Sequence, residues 1–225
     1  MFYYFARAVC RALFRIVGRW DVKGQEHVPA TGGVILAVNH TSYADPPAAG
    51  CAVRRRCWFL AKEELFRNPL FGWLIRALGA FSVKRGSPDI GALRHALRLL
   101  KEGKCLIVFP EGTRMPPGQL GEAEPGVCLI VQKSGAPVVP VYLHDTHRFL
   151  PPGSIFIRPA KIRVRVGEPI TFPSDTSSGR EGLTRIGERI MTELAKLKGK
   201  VQTNSERHKA ASHTANRERP KLKPH

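Results

Sequence analysis

The chain has 225 residues, 43% of them hydrophobic, which is enough for one domain with a substantial core. Its formal charge is +18, so its partners are expected to be anionic: nucleic acid, an acidic membrane face or a phosphorylated substrate. The five cysteines (10, 51, 57, 105, 128) are odd in number and include no C-x-x-C, which argues against a disulfide framework and fits structural thiols in a reducing, cytosolic compartment. Nine Lys and Arg against two Glu lie from Lys196 onward, a net of +7, which leaves +11 on residues 1–195. The folded part is therefore basic in its own right.

Taken in chain order, residues 1–20, "MFYYFARAVCRALFRIVGRW", place Arg7, Arg11, Arg15 and Arg19 four apart. On a helix this is a slowly drifting stripe, and Phe2, Phe5, Val9, Leu13, Phe14, Ile16 and Val17 cover much of the rest. The pattern suits a membrane interface, where guanidinium meets lipid phosphate; the alternative is an ordinary terminal helix packed on its own domain. The N-terminus lacks the apolar region and cleavage site of a signal peptide, and no run reaches the ~18–20 apolar residues of a spanning helix.

Next, "VILAV" (34–38) reads as a buried strand. Asp45-Pro46-Pro47 predicts a helix start, with Asp45 as N-cap and proline at the first helical position. A strand is expected around 58–61, a short helix from Asn68-Pro69 to near Gly79, and a strand in "AFSVKR". Ser87-Pro88-Asp89 caps a helix ended by Gly103, "KCLIVF" is a buried strand, a helix follows over 127–134, and "APVVPVYL" is a strand. In "KIRVRVGEPI", Ile162, Val164 and Val166 alternate with Arg163 and Arg165, so one face is expected to be wet. Residues 180–198 carry helical periodicity and close the domain. Beyond 199 apolar residues are scarce, which predicts a disordered basic tail. There is no internal repeat. The organisation expected is a membrane-associating amphipathic helix (1–20), one α/β domain (21–198) with a central, mostly parallel sheet flanked by helices, and a tail (199–225).

Three polar clusters follow strands: His40…Asp45, Lys84-Arg85-Gly86 and Pro110-Glu111-Gly112-Thr113-Arg114. Parallel strands would bring these loops to one sheet edge, where ligands of such folds gather. On a regular helix, five residues would turn the side chains of His40 and Asp45 about 140° apart, so they meet only across a turn, which Pro46 favours. An Asp holding one imidazole nitrogen leaves the other as a base; the alternative is that Asp45 merely caps a helix. Ser42 lacks the G-x-S-x-G context of a nucleophile, and neither His40–Asp45 nor His144-Asp145-Thr146-His147 matches a metal motif. A base without a protein nucleophile implies a substrate hydroxyl. With no phosphate-binding glycine loop, acyl transfer stands ahead of phosphoryl transfer. Arg85 and Arg114 suit phosphate through their planar donor forks, and Glu111 suits a substrate hydroxyl or the orientation of an Arg; a structural Arg–Glu pair closing a turn explains them equally well.

Together these blocks resemble the 1-acyl-sn-glycerol-3-phosphate (lysophosphatidic acid) acyltransferase family. "NHTSYAD" resembles its Asn-His-x-Ser-x-x-Asp block, "GAFSVKR" its second block, "FPEGTR" matches its third, and "VVPV" resembles its fourth, in the family's order, over residues of about 15–195. The resemblance implies that His40 and Asp45 act as a catalytic dyad, and that Arg85, Glu111, Gly112, Thr113 and Arg114 bind the acceptor's glycerol phosphate. It implies acyl-CoA or acyl-carrier protein as donor, lysophosphatidic acid as acceptor, no metal or other cofactor, and work at the cytoplasmic face of the cell membrane. An anionic membrane surface is then a partner, and no specific nucleic acid is. Met115 and Glu124 depart from the family pattern beside the acceptor and acyl-chain region, so glycerol 3-phosphate or a lyso-aminolipid remains an alternative acceptor. A basic membrane- or nucleic-acid-binding protein is the alternative from another class.

Overall fold

The computed structural model describes residues 1–84, 89–172 and 179–217. Helix α1 (Phe2–Ile16) leads into strands β1 (Asp21–Lys23) and β2 (Val34–Val38), then α2 (Asp45–Ala52), β3 (Cys57–Lys62), α3 (Pro69–Ala77) and β4 (Ala80–Val83). There follow α4 (Ile90–Lys101), β5 (Cys105–Val108), α5 (Pro125–Ser134), β6 (Val138–His144), α6 (Thr146–Phe149), β7 (Arg163–Val166) and α7 (Arg180–Arg217). Among the described residues the strands form one sheet in the order β1-β7-β6-β2-β5-β3-β4. The five strands from β6 to β4 run parallel, and β7 runs antiparallel to β6 with β1 parallel beside it.

The apolar runs are continuous because helices cover both faces of the central strands. Every residue of β2 is fully buried, and its side chains divide with period two. Val34, Leu36 and Val38 join Phe14 of α1 and Ala48, Ala49 and Ala52 of α2. Ile35 and Ala37 join Ala96 and Leu100 of α4, Cys128 and Val131 of α5, and Ile186, Ile190 and Leu194 of α7. Local signals set the helix starts. The Asn68 side chain accepts from Phe71 N–H and Asp89 from Ala92 N–H, each filling an orphan donor of a first turn.

Four expectations need correction. Helix α2 starts at Asp45 itself, with Ala44 as N-cap, because the Asp45 carboxylate turns back to the preceding residues instead of capping. The arginine face of β7 is not wet: β1, unforeseen from the sequence, makes β7 an interior strand, and the buried Arg165 lies 2.7 Å from Asp21. Arg7 faces inward, donating to the carbonyls of Val53, Arg54 and Arg55 and so satisfying the chain end of α2. Finally, α7 continues past 198 to Arg217; Leu197 and Val201 extend its buried stripe against Tyr142.

Helix α1 packs on its own domain along one side and leaves apolar side chains exposed on the other. Its inner side docks through Tyr3, whose hydroxyl accepts from Cys57 N–H, and through Phe14, stacked on Trp20. Its outer side exposes Phe2, Tyr4, Phe5, Val9 and Ile16, and Phe2 meets the exposed Trp73 of α3, which also exposes Leu70 and Phe71. Among the described residues no helix is long and apolar enough to cross a membrane.

Candidate active site

The site grows from the C-terminal end of β2. Asn39 stays in the sheet by side-chain mimicry: its amide donates to the Leu143 carbonyl of β6 and accepts the Leu143 N–H, at 3.1 and 2.7 Å. The chain then leaves the sheet in a turn. His40 Nδ1 lies 2.9 Å from Asp45 Oδ2, and the same oxygen accepts the N–H groups of Thr41 and Ser42 at 2.6 and 2.7 Å. Three donors on one buried oxygen explain why five residues of separation bring the two groups together. The other oxygen, Oδ1, is buried without a hydrogen-bond partner among the described residues. With Nδ1 engaged, the ring's Nε2 is the nitrogen left for a substrate proton.

Ser42 is not poised as a nucleophile. Its hydroxyl donates to the Leu150 carbonyl at 2.8 Å and accepts the Ala44 N–H at 3.1 Å. Thr41 is likewise tied to Thr146, hydroxyl to hydroxyl at 3.2 Å. The turn is therefore braced from the α6 side by side chains that belong to it.

The loop after β5 braces it from the other side. Phe109 stacks on the His40 ring with centroids 4.2 Å apart. Buried Glu111 accepts the His40 N–H at 2.8 Å on Oε2 and the Gly121 N–H at 3.2 Å on Oε1, and the His40 carbonyl accepts the Met115 N–H at 2.8 Å. Burial pushes the Glu111 carboxyl up, against the pull of its two N–H donors, and the nearby Asp45 charge adds to the rise. Both oxygens of Glu111 thus hold main chain, so its geometry is that of a positioning group for His40. Gly112 has φ +64°, and a Cβ there would stand 2.6 Å from the Glu124 side chain, so glycine is needed twice over. Glu124 brings a carboxylate over this loop.

Thr113 and Arg114 are exposed at the same sheet edge. The Arg114 guanidinium lies over the Tyr43 ring, 3.8 Å from its centroid, which joins the third sequence block to the first. Arg85, also expected in the site, lies outside the described residues; its neighbour Lys84 follows β4, whose C-terminus points to the same edge. The His144-Asp145 cluster borders that edge on the β6 side. Asp145, at φ +64°, is met by His144, Arg148 and Arg163, and burial holds His144 and His147 below the ordinary imidazole value. Among the described residues no group of three or more His, Cys, Asp or Glu is placed to hold a metal ion. The roles of Asn39, Tyr43, Phe109 and Thr146 were not foreseen; the first three stand inside or beside the quoted blocks, and only Thr146 gave no signal there.

Known proteins resemble this chain in sequence and in fold. The family model described as Acyltransferase matches residues 19–144. The 1-acyl-sn-glycerol-3-phosphate acyltransferase of Streptococcus pneumoniae is 28% identical over 208 residues, 88% of this chain and 73% of the relative. That of Bacillus subtilis is 26% identical over 202 residues, 88% of this chain and 98% of the relative. The chain spans 44% of the chloroplastic enzyme BAT2 of Brassica napus, at 32% identity over 154 residues. The crystal structure of the 1-acyl-sn-glycerophosphate acyltransferase PlsC from Thermotoga maritima superposes with a TM-score of 0.66 at 32% identity, covering 87% of this chain and 82% of that one. The matched residues carry β1 to β6, the His40–Asp45 turn and the Glu111 loop, and on that ground the chain belongs to the acyltransferase family.

Proposed function

We propose that this protein is a 1-acyl-sn-glycerol-3-phosphate acyltransferase that makes phosphatidic acid, with His40 as general base. The observation that carries the reading is the turn itself: an imidazole held at Nδ1 by a buried carboxylate, beside a serine whose hydroxyl is already committed. The acceptor must then supply the nucleophile. His40 Nε2 takes the proton of the sn-2 hydroxyl as the oxygen attacks the thioester carbonyl of acyl-CoA or acyl-carrier protein. The C–O bond forms, the C–S bond breaks, and the departing thiolate recovers the proton from the imidazolium. Asp45 fixes the tautomer and stabilises the imidazolium while it exists. Phe109 holds the ring plane, and Glu111 with Met115 holds the main chain, so the base is pre-positioned.

Arg114, together with Arg85, binds the acceptor's phosphate. The apolar outer side of α1 and the exposed Leu70, Phe71 and Trp73 of α3 rest on the cytoplasmic face of the cell membrane, from which lysolipid enters sideways. Net charge of +18 favours an anionic leaflet. The test is incubation of purified protein with lysophosphatidate, glycerol 3-phosphate and a lyso-aminolipid, each with labelled acyl-CoA or acyl-carrier protein. Label at the sn-2 position of phosphatidic acid is expected. Transfer only to the other acceptors would refute the assignment.

A further inference from the structure

We propose that the loop between α6 and β7 is a membrane-inserting wedge, whose tip Ile155-Phe156-Ile157 enters the acyl region of an anionic bilayer. The proposal rests on the membrane-surface reading above and adds to it a second point of insertion, separate from α1 and α3. The three side chains are consecutive and 87%, 74% and 43% exposed, whereas Phe149 at the end of α6, and Leu150 and Ala160 of the connection, pack on the core. A bulky apolar tip held out on a buried stem is poorly explained by the fold's own packing.

The stem stands on α1. Arg158 N–H donates to the Phe149 carbonyl at 2.8 Å and closes the loop. The Phe149 ring lies 5.3 Å from that of Phe14, and Ala160 and Ile162 donate to the carbonyls of Val17 and Gly18. Both ends of the loop therefore rest against the C-terminal turn of the helix whose outer side is apolar, next to the exposed Ile16.

Two further features suit lipid rather than water. A backbone N–H or C=O that enters hydrocarbon needs a partner, and at the centre of the tip Ser154 supplies both. Phe156 N–H donates to Ser154 Oγ at 3.0 Å, the Ser154 hydroxyl donates to the Phe156 carbonyl at 3.3 Å, and Ser154 N–H donates to the Pro151 carbonyl at 3.0 Å. Pro151, Pro152 and Pro159 bring no N–H at all. Along the loop the charge is of one sign: no Asp or Glu occurs between Asp145 and Glu168, and Arg158, adjoining the tip, is exposed. That combination matches anionic headgroups around an apolar wedge. The wedge is also wired to the catalytic turn, since Leu150 at its base accepts the Ser42 hydroxyl.

The experiment compares the full chain with Phe156→Ser and, separately, Phe5→Ser on α1, in partitioning to phosphatidylglycerol vesicles. Phe156→Ser is expected to weaken partitioning about tenfold with an unchanged melting temperature, because the side chain touches water in the free protein. In a Trp73→Phe background, Phe156→Trp is expected to add fluorescence that lipids brominated on their acyl chains quench. Partitioning within twofold of the parent for Phe156→Ser, with Phe5→Ser still weakened, would overturn the wedge and leave the membrane reading standing. No effect from either would remove both. Self-association of the parent that Phe156→Ser abolishes, with vesicle binding intact, would make a second copy the occupant and also overturn the wedge.

Discussion

Replacing Glu111 by Gln separates two roles for this residue: contact with the acceptor, and support of the catalytic turn. In the structure Oε2 accepts the His40 N–H and Oε1 the Gly121 N–H. An amide keeps one acceptor oxygen and turns an NH2 toward the other N–H. One charge-assisted hydrogen bond worth about 1.5–3 kcal/mol is lost, partly offset because a buried charge disappears. A net loss of about 1–2 kcal/mol corresponds to a fall in melting temperature of roughly 2–8 °C for a domain of this size. Displacement of the His40 main chain should lower kcat at least tenfold, since misplacement on the scale of 1 Å costs about a hundredfold, while KM for the acceptor stays within about twofold. The pH dependence gives a second readout. The folded-state pKa of Glu111 is raised, so the native state holds this proton more tightly than the unfolded chain, and stability falls as pH rises from the ordinary carboxylate value through the raised one. Glu111→Gln should remove that slope. The assay is steady-state transfer to lysophosphatidate together with thermal melts across pH 4–7. A rise in KM alone, with melting temperature and kcat unchanged, would refute the positioning role and restore a direct acceptor contact.

Other expectations follow from single contacts. Asp45→Asn keeps the size of the side chain but loses the carboxylate that orients His40, so kcat should fall by about 10²–10⁴-fold; a smaller effect would deny the pair its role. Tyr43→Ala removes the ring beneath Arg114 and should raise KM for a phosphate-bearing acceptor about two- to fivefold, with Tyr43→Phe restoring it; equal KM values for all three would place the phosphate elsewhere. Asp21→Ala leaves the buried Arg165 without its carboxylate and should cost about 1.5–3 kcal/mol in a thermal melt without touching kcat. Vesicle binding should weaken as salt rises toward 1 M, and the salt-insensitive remainder measures apolar insertion.

The sheet was legible where burial on both faces writes an uninterrupted apolar run, as in β2 and β5, and the helix starts were legible where a side chain caps its own first turn, as at Asn68 and Asp89. Elements set by distant partners were not. β1 has only three residues and owes its existence to pairing with β7. α6 has four residues, and β7 reverses direction without any local sign. Asp45 misled because the rule for caps and the demands of the His40 turn compete for one carboxylate, and the turn has three donors to offer. The same holds in the site. That His40, Asp45, Glu111 and Arg114 meet at one edge was readable from strands followed by polar blocks. That Glu111 grips the main chain of His40, 71 residues away, depends on how two loops pack and leaves no local trace. Arg7 and Arg165 looked like surface charges because the carbonyls that hold Arg7 lie 46 to 48 residues distant and the carboxylate that meets Arg165 lies 144.

The most direct measurement is turnover by His40→Ala under conditions where vesicle binding and acceptor binding are measured on the same sample. Loss of sn-2 acylation by about a thousandfold or more, with both binding activities retained, is the result expected of a general base acting on the acceptor hydroxyl. Turnover within tenfold of the parent protein would contradict it.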